Sequence, residues 1–196
     1  VVVATVRALK YNGGVARADL NEENLDALKA GLPNLLRHVS NIQDVYGLPC
    51  VVAINAFPTD TAAELALVEE QCRELGVNVA LSEVWAKGGR RAARRLAEEV
   101  IRLCEQPHEF HYSYETGTDI EEALTQIATR IYHADGVDLA PGAKKQLAQL
   151  RRDGFGNLPV CVAKTQYSFT DNQHLLGAPE GFRITVRNLK VSAGAG

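Results

Sequence analysis

The chain has 196 residues, of which 46% are hydrophobic and 23% charged, and its formal net charge is −3. That length suits one domain or one and a half, and the composition is that of a soluble globular protein rather than a disordered one. The overall charge makes no demand for nucleic acid, and no apolar run reaches the ~18 residues that a membrane-crossing helix requires.

The first element reads as a strand, Val1-Val2-Val3-Ala4-Thr5-Val6, ending near Arg7. The chain contains no methionine and starts inside this strand, so a piece of a longer protein is expected. Asn12-Gly13-Gly14 is a turn signal. Leu25, Leu28, Leu32, Leu35, Leu36, Val39 and Ile42 then recur at helical spacing. Pro33 falls inside that pattern and predicts a kink or two shorter helices, with Gly47 as the stop. Cys50–Ile54 reads as a buried strand. Thr61 and Glu64 have the spacing of a capping box. They open a helix with Leu65, Val68, Cys72 and Leu75 on one face and Gly76 at its end.

Val77–Leu81 is the next strand, and after Gly88-Gly89 a helix carries Leu96, Val100, Leu103 and Cys104 as its apolar stripe. The βαβα alternation predicts an α/β fold, with a mostly parallel sheet and flanking helices. Phe110–Tyr114 reads as a short strand or an extended linker. Thr118 with Glu121 predicts a second capping box, and Pro141 the first turn of a further helix ending at Gly154. Pro159–Ala163 reads as a buried strand, and Phe182, Ile184 and Val186 alternate as in a half-exposed one. The expected organisation is an α/β core portion with ligand-rim loops over residues 1–105. A small, mostly helical subdomain follows over 106–155, with returning strands and loops over 156–196.

Cys50, Cys72, Cys104 and Cys161 form no C-x-x-C pair, so buried free thiols in a reducing cytosol are expected rather than a zinc site. The five histidines are scattered and no metal site is expected.

Two segments carry the functional reading. They are Val51-Val52-Ala53-Ile54-Asn55-Ala56-Phe57-Pro58-Thr59-Asp60 and Leu81-Ser82-Glu83-Val84-Trp85-Ala86-Lys87-Gly88-Gly89. Each begins as an apolar strand and ends in polar, aromatic and glycine residues. Ligands of open α/β sheets bind outside the carboxyl ends of the strands. Asn55, Phe57, Pro58, Asp60, Leu81, Ser82, Glu83, Trp85 and Lys87 are therefore candidates for one rim. Phe57 and Trp85, the only tryptophan, read either as an aromatic clamp for a flat heterocycle or as core anchors. Their neighbours Pro58 and Lys87-Gly88-Gly89 favour loops.

Asn55 and Asp60 read either as contacts to a nucleobase edge, in the manner of GTPases, or as residues that tie the loop and open a helix. Lys164 and Thr165 follow the strand Pro159–Ala163 and are candidates for the same rim, for an anion and a hydrogen bond respectively, or for satisfying their own loop. Arg90, Arg91, Arg94 and Arg95 form a basic cluster that reads as a solvated helix face or as an anion contact. No catalytic residue is assigned, and G-x-x-x-x-G-K-[ST] does not occur.

Six segments together resemble the formate–tetrahydrofolate ligase family, in order and across essentially the whole chain. They are Val3–Lys10, Asn24–Leu35, Asn55-Ala56-Phe57-Pro58-Thr59-Asp60, Ser82-Glu83-Val84-Trp85-Ala86-Lys87-Gly88-Gly89, Gly154–Cys161 and Ala163-Lys164-Thr165-Gln166-Tyr167-Ser168. The second and last of the rim motifs resemble bacterial members most. The resemblance implies a cytoplasmic enzyme of one-carbon metabolism with a P-loop NTPase-like core, using ATP, Mg²⁺, formate and tetrahydrofolate. It implies formyl phosphate as the intermediate, 10-formyltetrahydrofolate as product, a homotetramer in bacterial relatives, and no nucleic-acid or membrane partner. It also implies that the positions of Phe57 and Trp85 hold the folate ring system between them.

Asn12 stands where the family commonly has His, and the Arg run after Gly89 is richer than the family pattern. The family's P-loop precedes the matched region, so the expectation is a folate-side portion that is inactive without its N-terminal part. A GTPase-like nucleotide-binding module and a non-catalytic structural fragment are the alternatives.

Overall fold

The computed structural model describes residues 1–82, 89–163 and 167–192, the side chains of 82 and 89–92 aside. It divides into two compact units, Val1–His111 with Leu176–Ala178, and Tyr112–Leu175 with Pro179–Gly196.

The first unit is built on a parallel sheet of order β1-β2-β3, formed by β1 (Val2–Ala4), β2 (Val51–Asn55) and β3 (Asn78–Ser82). β2 is the middle strand, and Val51, Val52, Ala53 and Ile54 are all buried. Burial on both faces is the reason for its unbroken apolar run. The helices are α1 (Val6–Asn12), α2 (Leu25–Ser40), α3 (Ala62–Glu74) and α4 (Gly89–Cys104). Leu9, Leu28, Leu32, Leu35, Val39, Val68 and Cys72 pack with β2 into one core. Burying each such leucine or valine contributes about 1.5–3 kcal/mol. The α/β architecture with parallel pairing is thus as the alternation predicts.

Several local readings change. The first strand stops at Ala4, not near Arg7. Thr5 instead caps α1, its Oγ1 accepting the Ala8 N–H at 3.1 Å, and Val6 and Leu9 turn into the core. Pro33 does not divide α2, which runs unbroken from Leu25 to Ser40 and continues as a π-helical turn over Asn41–Val45. Of the four cysteines, only Cys50 and Cys72 are buried, while Cys104 and Cys161 are exposed free thiols. Burial, with the neighbouring Cys50 as a lesser cause, pushes the Cys72 thiol up to about 11, so it stays protonated and inert. The Thr61–Glu64 capping box forms as expected.

The second unit holds α5 (Ile120–Arg130), β4 (Val137–Leu139), α6 (Pro141–Arg152) and β5 (Ile184–Val186), with β4 and β5 parallel in the register Val137↔Ile184. Ile120, Leu124 and Leu147 form its core with Leu139, Leu150 and Val186. The cap of α5 is Asp119, not Thr118. Its carboxylate accepts the Glu121 N–H at 3.0 Å and the Arg151 Nε at 2.9 Å, and a hydroxyl offers no such ion pair. Pro159–Ala163 is not a strand. The Val160 N–H is donated to the Tyr114 hydroxyl at 2.7 Å, and Cys161, Val162 and Ala163 are exposed. Among the described residues no helix is long and apolar enough to cross a membrane.

Two glycines let α1 and α2 touch backbone to backbone. A Cβ on Gly31 would lie 1.8 Å from the Leu9 carbonyl oxygen, and one on Gly13 would lie 1.8 Å from that of Ala27. Both obstacles are backbone, so neither moves aside cheaply. Gly31→Ala is therefore expected to destabilise the chain by about 1–3 kcal/mol, despite alanine's higher helix propensity. Urea denaturation checks this, and an unchanged or raised midpoint would contradict the close approach.

Candidate functional site

The carboxyl ends of the three strands define one edge of the sheet. β2 and β3 end together, with Asn55 and Ser82 as register partners, and β1 is in register with β2 through Ala4↔Ile54. β1 and β2 each release the following segment on that edge. From β1 come Thr5, Val6 and Arg7. From β2 come the exposed Asn55 and the turn Phe57–Asp60. β3 ends at Leu81, which is half-buried, and Ser82.

The turn has a clear sequence cause. Pro58 sits at its second position, where its fixed φ is preferred, and the Asp60 N–H is donated to the Phe57 carbonyl at 3.0 Å. In return the Phe57 N–H is donated to Asp60 Oδ2 at 2.8 Å. This reciprocal pair fixes the Phe57 backbone, and Phe57 stays 37% exposed at the rim. The guanidinium of Arg7 lies over the Phe57 ring, 5.5 Å from its centroid. This is a cation–π contact. Among the described residues no carboxylate pairs with Arg7.

Asp60 is the electrostatic oddity of the rim. Its Oδ1 is buried and has no hydrogen-bond partner among the described residues. Burial pushes its carboxyl above the usual range. The Phe57 N–H bond and the charges of Lys10 and Arg7 act the other way, and Glu64 adds to the rise.

Beneath the rim lies an ion pair with no exposure at either side chain. Lys10 Nζ meets Glu64 Oε1 at 2.7 Å and is also donated to the Glu22 carbonyl at 2.7 Å. Glu64 accepts the Asn24 N–H at 3.2 Å and, on Oε2, the Thr61 N–H at 3.0 Å. Burial alone would raise the Glu64 carboxyl. The bonds from Lys10, Thr61 and Asn24 outweigh it and hold the group below the ordinary carboxylate range.

Of the residues singled out in the sequence, Asn55, Phe57, Pro58, Asp60, Leu81 and Ser82 stand together on this edge. Glu83, Trp85, Lys87, Lys164 and Thr165 lie outside the described residues. Arg94 of the basic cluster pairs locally with Glu98 at 2.7 Å, on an exposed helix face, and Arg95 is also exposed. The side chains of Arg90 and Arg91 lie outside the described residues. A groove of about 410 Å³ beside α4, lined by Glu69, Arg73, Asn78, Glu98, Glu99 and Arg102, adjoins the amino-terminal half of β3. It is charge-compensated by Arg73–Glu69 and Arg102–Glu99. The sequence reading missed Arg7 as a rim residue because it treated Arg7 as the end of a strand. The signal was Thr5 followed by Val6 and Leu9 at helical spacing.

The family described as formate–tetrahydrofolate ligase matches residues 1–196. The chain belongs to the formate–tetrahydrofolate ligase family. The match spans every residue, so both units and the rim fall within family sequence. Asn12 makes its own contacts. Its Nδ2 is donated to the Ala8 carbonyl at 3.0 Å, and its Oδ1 accepts the Gly177 N–H at 3.2 Å. The carbonyl of Gly177 in turn accepts from Asn34 Nδ2 at 2.7 Å.

Removing one partner of the buried pair leaves the other charge uncompensated. Lys10→Met should cost about 3–5 kcal/mol in urea denaturation near neutral pH, and adding Glu64→Gln should recover part of that loss. The wild-type Glu64 carboxyl is depressed. Its stabilisation is therefore full above the unfolded value of about 4.3 and fades as pH falls through its folded value. In Lys10→Met the cation is gone, so the penalty of the variant should shrink as pH is lowered toward about 4. A pH-independent penalty would contradict the pairing.

Proposed function

We propose that this chain supplies the tetrahydrofolate side of a formate–tetrahydrofolate ligase, with Phe57 and Trp85 holding the folate ring system between them. The observation that carries the reading is the exposed Phe57 ring. It is fixed by the Pro58 turn at the carboxyl edge of a parallel sheet, in a chain that matches the ligase family from end to end. An aromatic face adds about 0.5–1.5 kcal/mol of stacking beyond the area it buries. Asn55, Ser82, Glu83 and Lys87 would supply polar contacts around the ring.

The reaction assigned to the complete enzyme runs in two steps. ATP phosphorylates formate to formyl phosphate. N10 of tetrahydrofolate then attacks the formyl carbon and phosphate leaves, giving 10-formyltetrahydrofolate. These 196 residues contain no G-x-x-x-x-G-K-[ST] run. In this reading the chain contributes to binding tetrahydrofolate, and ATP and Mg²⁺ serve the phosphorylation of formate. A homo-oligomer in the cytoplasm is the assembly this reading implies.

The discriminating measurement is a titration with tetrahydrofolate that follows the fluorescence of Trp85. Saturable quenching is expected, competed by another folate but not by GTP. Phe57→Ala and Trp85→Ala should each weaken binding by about 1–3 kcal/mol. Undiminished affinity in folded variants would contradict the clamp, and competition by GTP would favour the nucleotide-binding alternative. The isolated chain should show no ATP hydrolysis. Measurable turnover would move the nucleotide site into these residues.

A further inference from the structure

We infer that α4 and the bare face of β1 form a docking surface for a second copy of this chain, with the two α4 helices antiparallel and side by side. The inference uses none of the rim and does not depend on the folate-side reading.

The surface follows from strand alternation. Val2, Ala4, Val52 and Ile54 point into the core shared with α1, α2 and α3. Val3, Val51 and Ala53 alternate with them and so lie on the opposite face. α4 packs on β3 and the margin of β2, and no described residue of it joins that core, which places it on this opposite face. Val51 and Ala53 are buried there, but Val3 on β1 is 69% exposed. Parallel sheets carry helices on both faces, and here one face is covered over only part of its width.

α4 is itself only half covered. Ala93, Leu96, Ala97, Val100, Ile101 and Cys104 recur at helical spacing as one apolar stripe. Leu96 and Val100 are half-buried, whereas Ala93, Ala97, Ile101 and Cys104 are exposed, Ile101 by 59%. The opposite flank fixes where these four face. Glu99 and Arg102 line the groove at the outer edge of β3, where Glu99 accepts from Asn78 Nδ2 at 2.7 Å. Ala97 and Ile101 stand across the helix from that pair, so they overlook β2 and β1.

This flank is complementary to itself. Its small residues, Ala93 and Ala97, lie toward the amino end, and the larger Ile101 and Cys104 toward the carboxyl end. An antiparallel copy sets Ile101 against Ala97 and Cys104 against Ala93, each contact made twice, as a two-fold axis requires. The charges follow the same order. Arg94 borders the stripe near one end, with its side chain 77% exposed beside Glu98. Glu105, whose N–H is donated to the Ile101 carbonyl at 3.2 Å, borders it at the other. Glu105 has no ion-pair partner among the described residues. The same register brings Arg94 of each copy beside Glu105 of the other, whereas a parallel pairing sets like charges together. Each α4 then covers the β1 face that the other copy leaves bare. This reciprocity of size and charge selects a second copy over an unrelated helix.

The test follows the mass of the 196-residue chain by sedimentation equilibrium across the micromolar range. It compares wild type, Ile101→Glu, Glu105→Arg and the charge swap Arg94→Glu with Glu105→Arg. Wild type is expected to associate in pairs. Ile101→Glu should be monomeric at every concentration while keeping the wild-type far-ultraviolet circular dichroism. Glu105→Arg should weaken association about ten-fold, and the charge swap should recover most of that loss.

A monomeric wild type overturns the inference and leaves the surface to another segment or partner; this result needs no variant to fold. Association undiminished by Ile101→Glu overturns it too, since the copies would then meet elsewhere. Glu105 is exposed, so its variants keep the test open if Ile101→Glu fails to fold. A charge swap no tighter than Glu105→Arg alone overturns the antiparallel pairing.

Discussion

The buried pair of Lys10 and Glu64 is the constraint on which the rest of the first unit depends. Each charge is removed from water completely, which costs several kcal/mol per ion unless every lone pair and proton finds a partner. Here the partners come from distant stretches of chain. The lysine comes from α1, the Glu22 carbonyl and Asn24 N–H from the segment before α2, and the glutamate and Thr61 from the start of α3. Satisfying the pair therefore draws three connections to one place. Asn24 serves twice, since its side chain also caps α2 by accepting the Ala27 N–H at 2.9 Å. Thr61 serves twice as well, through the capping box.

The rim stands on that anchor. Asp60 immediately precedes Thr61, so fixing the start of α3 fixes the last residue of the Phe57–Asp60 turn. α1 carries Lys10 on its buried face and Arg7 one turn earlier, so the bond that holds Lys10 also sets the base of the helix that presents Arg7 to the Phe57 ring. A parallel sheet releases all its strand-to-helix connections at one edge, and the register Asn55↔Ser82 brings the two longer strands to that edge at the same level. The chemistry there is mixed: an exposed aromatic residue, the Arg7 guanidinium over its ring, and a buried Asp60 oxygen with no donor among the described residues.

Much of this was legible in the chain. The turn at Pro58, the capping box at Thr61 and the buried run of β2 each depend on neighbours within about five residues. Local geometry dictates them, and the structure shows all three. The errors share the opposite character. Arg7 was hidden because Val1–Val6 has strand composition, while the helix that replaces its last residue is stabilised by packing on α2. Pro159–Ala163 also has strand composition, yet Tyr114, 46 residues earlier, takes the Val160 peptide for its hydroxyl. At α5 the capping choice passed from Thr118 to Asp119 because Arg151, 32 residues on, rewards a carboxylate.

The sequence by itself determined the α/β class with its parallel pairing, the family, and the place of β2 and β3 to within one residue at each end. Each is a matter of periodicity, turn chemistry or linear motif. Only the tertiary structure decided which charges are buried together, which peptide groups are left for side chains, and which polar atoms remain unpaired at the rim. Lys10 and Glu64 are 54 positions apart, and nothing in either neighbourhood marks them as partners. Their pairing follows from helix packing, where two glycines let α1 and α2 approach and burial turns a long-range contact into the strongest electrostatic requirement of the unit.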